Sequence, residues 1–383
     1  MRINLEKQFI NHYSKLPEYF ISCGGRFEIL GNHTDHNHGL CMAATCNLAI
    51  SSAVNKRDDS TVRLISKGNP SFEITLDNLD VHPNEINTSQ ALIRGIANYL
   101  TEHGYRIGGF DIYMESTIFS GAGVSSSAAF ELLIAQVFNE LFNNKQIDKM
   151  LLCKAGQYAE NKYFGKKSGL LDQIGVAYGG IVYIDFKDIE NPLVNPMTID
   201  FKDLHYVIVN TGGSHADLSD AYSAIPNDMY NAAKKVGSNF LIETNLNTIE
   251  QNKEHLTDME YNRAIHFYSE CERVKNAKEA ILNHDEDKFL SLINESRISS
   301  TYYLKNMMVG DDYKGSPLEA TDLIMKIIEG NGACKINGGG FAGSVICVVK
   351  DTHFKKLLTA MKEKYGDNNV VEVFVRKIGP SNI

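Results

Sequence analysis

A turn rich in glycine and serine at residues 120–127 joins a strand pattern to a helix pattern, and it most constrains what this chain can form. The turn reads SGAGVSSS, follows the β-rich stretch GGFDIYMES and leads into the apolar helical pattern AAFELLIAQVFNELF. Gly121 and Gly123 let the backbone approach a ligand closely, and the helix behind them directs N–H groups toward it. The turn predicts an anion cradle without the lysine of a Walker A loop; an ordinary helix N-cap is the alternative interpretation.

The remaining patterns predict an α+β fold. Short β-rich runs separated by charged turns follow one another between residues 46 and 77, as in an antiparallel sheet. Helical spacing recurs at 148–164, 218–236, 259–283, 286–308 and 317–330. No regular β-α-β alternation of a doubly wound sheet is visible. A stretch at 187–198 with two prolines and little periodicity separates domains at 1–195 and 196–383.

Composition narrows the class of protein and its compartment. The net charge of −9 argues against binding to nucleic acid or to acidic membranes, since both need a basic surface. No segment approaches the roughly 20 apolar residues of a membrane span, and the N-terminus is too polar for a signal peptide. The seven cysteines form no Cys-x-x-Cys pair and are interpreted as buried free thiols. A cytoplasmic protein is expected.

Two further segments carry candidate functional residues. Three consecutive glycines at 338–340, followed by Gly343, precede an apolar strand, which indicates a sharp turn or the close approach of a ligand. A plain hairpin turn is the alternative. Glu160 lies near the end of a predicted helix, and Asp172 lies among leucine and isoleucine. A carboxylate in an apolar setting needs a partner, so Asp172 is the stronger candidate.

The stretch GGRFEILGNHTDHNHG at 24–39 contains three histidines and an aspartate. His33, Asp35, His36 and His38 are residue types that bind zinc or iron. The later histidines are scattered singly, including His215, and a metal hydrolase would need further ligands downstream. A metal centre would also leave both glycine-rich loops unexplained, so a metal-dependent hydrolase is the more distant alternative.

Taken together, the four segments resemble the GHMP family of small-molecule kinases, and within it the galactokinases. GRFEILGNHTDHNHG is similar to the signature Gly-Arg-Val-Asn-Leu-Ile-Gly-Glu-His-Thr-Asp-Tyr-Asn-x-Gly. GAGVSSSAA resembles the family's phosphate loop, GGGFAGS its third motif, and AEN with LLDQ its acidic pair. The resemblance covers nearly the whole chain, with the motifs in the family's order.

The resemblance implies an α+β fold of two domains, the first like ribosomal protein S5 and the second ferredoxin-like. It implies ATP in the cleft between them, held by Ser66, Gly121, Ala122, Gly123, Val124, Ser125, Ser126 and Ser127. It also implies Mg²⁺ at Ser127 and Glu160, whose oxygens suit that ion.

The implied activity is that of an ATP-dependent sugar-1-kinase, converting galactose to galactose 1-phosphate. Asp172 would accept the proton of the anomeric hydroxyl, and Arg26 would stabilise the transferring phosphoryl group and keep Asp172 ionised. The residues implied to contact the sugar are Asn32, His33, Thr34, Asp35 and Tyr222. The expected partners are the sugar and ATP, with no nucleic acid or membrane, and a monomer is expected.

The sequence departs from the signature at two positions that concern the substrate. Asn32 replaces a glutamate that normally meets the 6-hydroxyl of galactose, and His36 replaces a tyrosine. An ionised carboxylate only accepts hydrogen bonds, whereas an amide also donates them. A kinase for a sugar altered at C6, such as galacturonate or arabinose, is therefore an alternative. A sugar and ATP sensor without catalysis is another.

Overall fold

The computed structural model of the chain describes residues 2–119, 121–212 and 218–383. Ser120 of the glycine- and serine-rich turn and His215 lie outside the described residues. The described strands are β1 (Tyr19–Leu30), β2 (Leu40–Lys56), β3 (Thr61–Ser66), β4 (Phe72–Thr75), β5 (Phe110–Ser116), β6 (Ile181–Asp185), β7 (Leu193–Met197), β8 (Leu204–Asn210), β9 (Gly332–Asn337), β10 (Ser344–Lys350), β11 (Val370–Val373) and β12 (Ser381–Asn382).

The described α-helices are α1 (Arg2–Tyr13), α2 (Ser89–Glu102), α3 (Ser126–Phe142), α4 (Lys149–Ala159), α5 (Leu171–Ala177), α6 (Ser219–Lys235), α7 (Leu246–Gln251), α8 (Asp258–Leu282), α9 (Glu286–Ser299), α10 (Pro317–Ile328) and α11 (Asp351–Tyr365). Wider π-helical turns extend α4 through Glu160–Phe164 and α9 through Ser300–Leu304. The predicted helices of the second half are therefore present, and the prediction of an α+β fold is confirmed.

The first sheet has eight strands, with a central path β12-β1-β2-β5-β3-β4 and β6 and β7 attached beside β2. Its pairings are antiparallel except for β3 with β5. Helices α2, α3, α4 and α5 cover one face and enclose a core of aliphatic side chains and phenylalanines. The last strand, β12, pairs with β1, so the end of the chain returns to the first sheet.

The second sheet has four antiparallel strands in the order β11-β8-β10-β9. Helix α10 precedes β9, and α11 connects β10 to β11, so the strands and these two helices follow the ferredoxin-like pattern β-α-β-β-α-β. The two helices bury Ile324 and Leu357 against the sheet. The division at residue 195 remains our proposal; β7 runs to Met197, and β8 opens the second sheet at Leu204.

Two helices of the first half, α1 and α2, are not among the elements predicted from sequence. Helix α1 is mostly polar and buries only Leu5 and Phe9, against a small cluster that includes Phe20. Helix α2 carries Gly95 in its middle, a residue that weakens isolated helices. A Cβ at Gly95 would lie 2.7 Å from Cα of Ala159, so the glycine allows α2 to pack closely on α4.

Two local features of β1 shape the site. The register between β1 and β2 shifts between Gly24 and Arg26 and again between Glu28 and Leu30. Such irregularities bend a strand and redirect its side chains. Arg26 and Glu28 are two residues apart, so both point to the same side of the strand, toward the cavity described below.

The seven cysteines are all buried and free, as predicted. In the part of the chain that the structure describes, no helix combines the length and the apolar character needed to cross a membrane.

Candidate active site

Two adjoining cavities lie between the glycine-rich loops. The smaller, of about 110 Å³, is lined by residues 166–169 and by residues of the histidine-containing stretch 32–38, which we call the histidine turn. The larger, of about 900 Å³, is lined by the turn that precedes α3. Arg26, Asp172 and Tyr222 line both, so Asp172 lies where the two cavities meet.

Asp172 is held by two side chains from different parts of the chain. It lies in the first turn of α5, and its Oδ1 accepts a hydrogen bond from Nε of Arg26 at 2.8 Å. A terminal nitrogen of the same guanidinium lies 2.7 Å from Oδ1 and completes an ion pair. Its Oδ2 accepts a hydrogen bond from the Ser125 hydroxyl at 2.6 Å. Arg26 also donates to the carbonyl of Gly123 at 2.9 Å. Strand β1, the turn before α3 and α5 therefore meet at one carboxylate.

The environment of Asp172 keeps it ionised. Burial by itself would raise the pKa of this carboxyl, but the charge of Arg26 and the hydrogen bonds from Ser125 and Arg26 hold the pKa below its usual value. The side chain remains 31% exposed, so it is reachable from the cavities. An ionised carboxylate open to a cavity can accept a proton from a bound hydroxyl.

The backbone of residues 121–127 curls around one end of the larger cavity, and all seven residues line it. Gly121, Gly123 and Ser125 have positive φ values of 79°, 68° and 54°. A Cβ at Gly123 would overlap the Ser344 hydroxyl, so only glycine fits there. Helix α3 begins directly afterwards at Ser126 and presents its N-terminus to the cavity. This arrangement suits an anion.

Ser127 and Glu160, the predicted metal ligands, lie next to each other. The Ser127 hydroxyl is 3.4 Å from Oε1 of Glu160, which also accepts a hydrogen bond from Lys166 at 2.8 Å. Lys166 and its neighbour Lys167 line both cavities, yet neither was singled out from sequence. The signal was the run GKKSG between the two acidic motifs. Two ammonium groups here favour a polyanionic ligand.

The small cavity gathers four of the five predicted sugar-binding residues: Asn32, His33, Asp35 and Tyr222. His33 Nε2 lies 2.8 Å from the carbonyl of Gly339 and therefore carries the proton. Burial and the nearby His36 lower the pKa of His33 to about 3, so the ring is neutral and its buried Nδ1 is an acceptor. Tyr222 packs edge-on against His33. A Cβ at Gly339 would overlap the Tyr222 ring, which explains one glycine of the triple-glycine loop.

Two predicted contact residues lie elsewhere. Thr34 is fully buried and lines neither cavity; its hydroxyl faces the carbonyls of Gly31 and Leu40, at 2.9 and 2.6 Å, and so holds the turn together. This position gives no support to a direct sugar contact by Thr34, which stays a prediction. Ser66 lies at the end of β3, where its hydroxyl accepts a hydrogen bond from Asn69 at 3.2 Å. It lines neither cavity, so the structure does not bring it to residues 121–127.

The histidine turn does not form a metal centre in the described part of the chain. No group of three or more histidine, cysteine, aspartate or glutamate residues is arranged there to hold a metal ion. His33 is engaged with Gly339, and His38 stacks on Phe240 with ring centroids 3.9 Å apart. The turn instead contributes the wall of the small cavity.

A buried glutamate beneath the site was missed from sequence. Glu131 is fully buried on α3, and its Oε2 accepts a hydrogen bond from Gln173 at 2.9 Å. The same Gln173 nitrogen lies 3.3 Å from Glu160 Oε2, so one amide links two carboxyl groups. Burial, followed by repulsion from Glu160, raises the pKa of Glu131 well above its usual value. The raised pKa favours the protonated form of Glu131, and its hydrogen bond with Gln173 holds in place the residue that follows Asp172.

Replacing Glu131 by glutamine should stabilise the protein increasingly as the pH rises above about 4.3, the pKa of an unfolded glutamate. The pKa of Glu131 is raised well above that value in the folded protein, so the carboxyl ionises more readily when unfolded and its contribution to the free energy of unfolding declines with rising pH. Glutamine lacks that loss. Thermal unfolding at several pH values measures the difference. Glu140→Gln on the same helix is the control, because Glu140 is paired with Lys145 at 3.1 Å. If the stability of the wild type and that of Glu131→Gln varied with pH in the same way, the raised pKa of Glu131 would be contradicted.

Comparison with known proteins agrees with this arrangement. The family model for the GHMP kinases N terminal domain matches residues 91–180, and that for the galactokinase galactose-binding signature matches residues 7–56. The galactokinase of Streptococcus mutans serotype c is 30% identical over 379 residues, which cover 94% of this chain and 92% of that protein. The chain belongs to the galactokinase family.

Other members of the galactokinase family align over similar lengths. The galactokinase of Fusobacterium nucleatum is 29% identical over 395 residues, covering 98% of this chain and 97% of that protein. The crystal structure of Lactococcus lactis galactokinase complexed with galactose superposes with a TM-score of 0.86 at 23% identity, and all of both chains is covered. Methanococcus jannaschii mevalonate kinase superposes with a TM-score of 0.65 at 16% identity, over 94% of this chain and 98% of the other. The two-domain GHMP kinase fold predicted from sequence is confirmed.

Proposed function

We propose that this protein transfers the γ-phosphate of ATP to the anomeric hydroxyl of galactose, giving galactose 1-phosphate and ADP. The observation that carries the proposal is the position of Asp172 at the junction of the two cavities, held by Arg26 and Ser125. The small cavity has the polar lining that a sugar requires, and the large one has the anion cradle that a triphosphate requires. The junction between them is where a hydroxyl would meet a phosphorus atom.

In the proposed reaction, the anomeric oxygen attacks the γ-phosphorus while its proton passes to Asp172. The bond between the γ-phosphorus and the β,γ-bridging oxygen breaks, and ADP leaves. Arg26 lies beside Asp172 and holds the carboxylate in place through Nε and one terminal nitrogen. Its positive charge also offsets the negative charge that gathers on the phosphoryl oxygens.

The phosphates would lie on residues 121–127, and Lys166 and Lys167 line the same cavity. Mg²⁺ would arrive with ATP as part of the substrate. Ser127 and Glu160 supply a hydroxyl and a carboxylate oxygen, which are the ligands this ion prefers, and two such groups leave places for water and phosphate oxygens. Location in the cytoplasm and a monomeric state remain predictions.

The intact group of Asp172, Arg26 and Ser125 favours an enzyme over a sensor, because a sensor needs no ionised carboxylate beside the phosphate site. The idea that Asn32 selects a sugar altered at C6 loses support, since every polar atom of that side chain is engaged within the protein.

A coupled ADP-release assay tests the proposal. The protein is incubated with MgATP and galactose, galacturonate, arabinose, N-acetylgalactosamine, glucose or no sugar, with and without Mg²⁺. We expect Mg²⁺-dependent ADP release with galactose well above the rate without sugar. ATP binding without ADP release on any sugar would instead support the sensor.

A further inference from the structure

One wall of the small cavity contains the buried carboxylate of Glu28 and the buried amide of Asn32, and these two groups are exchanged relative to the galactokinase signature. The signature has asparagine at the position of Glu28 and glutamate at the position of Asn32. We propose that Glu28 is the residue that selects the sugar's C6 hydroxyl in this protein, and that it disfavours sugars that carry a carboxylate there. This inference rests on the proposed function and specifies the substrate class of the same site.

Both N–H groups of Asn32 are used within the protein, and its amide oxygen already accepts one hydrogen bond. Its amide nitrogen donates to Glu28 Oε1 at 3.0 Å and to the carbonyl of Gly338 at 2.8 Å. Its amide oxygen accepts a hydrogen bond from Asn306 at 2.8 Å. Both neighbours of the nitrogen are acceptors, which settles the orientation of the amide. The side chain is buried and acts as a clamp between Glu28 and the glycine-rich loop.

Glu28 retains capacity on one oxygen. Oε1 accepts hydrogen bonds from Asn32 and, at 2.8 Å, from the fully buried ammonium of Lys335. Oε2 has one contact among the described residues, a long one of 3.3 Å from Asn32. A carboxylate oxygen has two lone pairs, so Oε2 can accept a further hydrogen bond. Glu28 lines the small cavity, and a bound hydroxyl is the donor that fits.

The charges around this wall favour a neutral partner. The charge of Glu28 is balanced by Lys335, and that of Asp172 by Arg26, so neither cation remains for a third anion. Asp35 adds another carboxyl group to the same cavity. Lys166 and Lys167 also line this cavity, and Lys166 is paired with Glu160 at 2.8 Å. A sugar carboxylate beside Glu28 would meet a like charge, and the cation next to Glu28, Lys335, is already engaged, which is costly in a buried site. The exchange of amide and carboxylate therefore preserves selection for a hydroxyl.

Exchanging the two residues back tests the inference. The variants are Glu28→Gln, Asn32→Glu and the double exchange Glu28→Asn with Asn32→Glu, assayed with galactose, 6-deoxygalactose and galacturonate. Glu28→Gln should lower kcat/KM for galactose roughly 10- to 100-fold, because a hydrogen bond to a charged group is lost. Its preference for galactose over 6-deoxygalactose and over galacturonate should fall by a similar factor. Asn32→Glu should lose activity because two carboxylates share one lysine.

The double exchange should recover most of the activity, with kcat/KM at least about tenfold above the product of the two single effects. It also keeps a carboxylate beside Lys335, so it remains informative if Glu28→Gln fails to fold. Equal losses on all three sugars, with unchanged preferences, would reduce Glu28 to a structural role and overturn the inference. A double exchange whose kcat/KM does not exceed the product of the two single effects would also overturn it. Failure of the proposed function would be recognised separately, because the wild-type protein would then turn over none of the sugars.

Discussion

Replacing Asp172 by asparagine should lower turnover on galactose by at least about 10³-fold while changing the affinity for ATP less than about twofold. General base catalysis contributes 10²–10⁴ in rate, and an amide cannot accept the proton of the sugar hydroxyl. The change also leaves Arg26 without its carboxylate partner, which disturbs the junction of the two cavities further. The phosphate-facing residues 121–127 remain, so ATP should still bind.

The matched control is Asp228→Asn. Asp228 pairs with Arg263 at 2.6 Å and is 25% exposed, close to the 2.7 Å and 31% of Asp172 with Arg26, and it lines neither cavity. It should keep turnover within about twofold once the folded fraction is taken into account. Single-turnover ADP release and calorimetric ATP binding measure the two quantities. An Asp172→Asn variant with more than about a tenth of wild-type turnover would exclude Asp172 as the base.

Replacing Arg26 by alanine should also lower turnover by about 10³-fold and move the acid limb of the kcat profile to higher pH. Burial raises the pKa of Asp172, and Arg26 is the largest influence that lowers it. Without Arg26 that pKa rises, so Asp172 is protonated, and inactive as a base, at pH values where the wild-type group is ionised. Arg26→Lys keeps a charge but lacks the planar set of donors that reaches both Asp172 and Gly123. Its turnover should therefore lie between that of the wild type and that of Arg26→Ala.

Arg263→Ala serves as the control for breaking a buried arginine–aspartate pair. Arg263 is 5% exposed and Arg26 is 6% exposed, so both variants should lose roughly 1.5–3 kcal/mol in free energy of unfolding. The control should leave the acid limb where it is in the wild type. A full profile from pH 4 to 9 on folded protein distinguishes them. An unmoved acid limb in Arg26→Ala would show that Arg26 does not set the ionisation of Asp172.

The candidate active-site residues could be predicted from sequence because each lies in a short motif whose composition is unusual. The glycines and serines of 121–127 before an apolar helix indicate either an anion site or an ordinary helix N-cap, and the resemblance to the phosphate loop favoured the anion site. Asp172 was recognisable because a carboxylate among leucines needs a partner. That the partner is Arg26, 146 residues earlier, came from the resemblance, and the structure places the two side chains in contact.

The sequence did not allow us to predict which polar side chains are buried or which partners they have. Thr34 carries a hydroxyl inside the best motif of the chain, yet the fold turns it inward onto two carbonyls. Ser66 was placed by resemblance alone, and the end of β3 does not reach the cavities. Glu28 passed unnoticed because its partner Lys335 is 307 residues away in sequence.

The sequence by itself determined the α+β class, the family and a set of candidate residues for phosphoryl transfer, because these follow from local patterns, short motifs and side-chain chemistry. Only the tertiary structure decided which groups remain available to a ligand. Asn32 and Glu28 lie four residues apart in one motif, but the fold uses both N–H groups of Asn32 on Glu28 and Gly338 and gives its oxygen a hydrogen bond from Asn306. Glu28 lines the cavity, and its Oε2 has a single long hydrogen bond, from Asn32 at 3.3 Å, among the described residues. Such a distribution depends on contacts between distant segments, which no local pattern specifies.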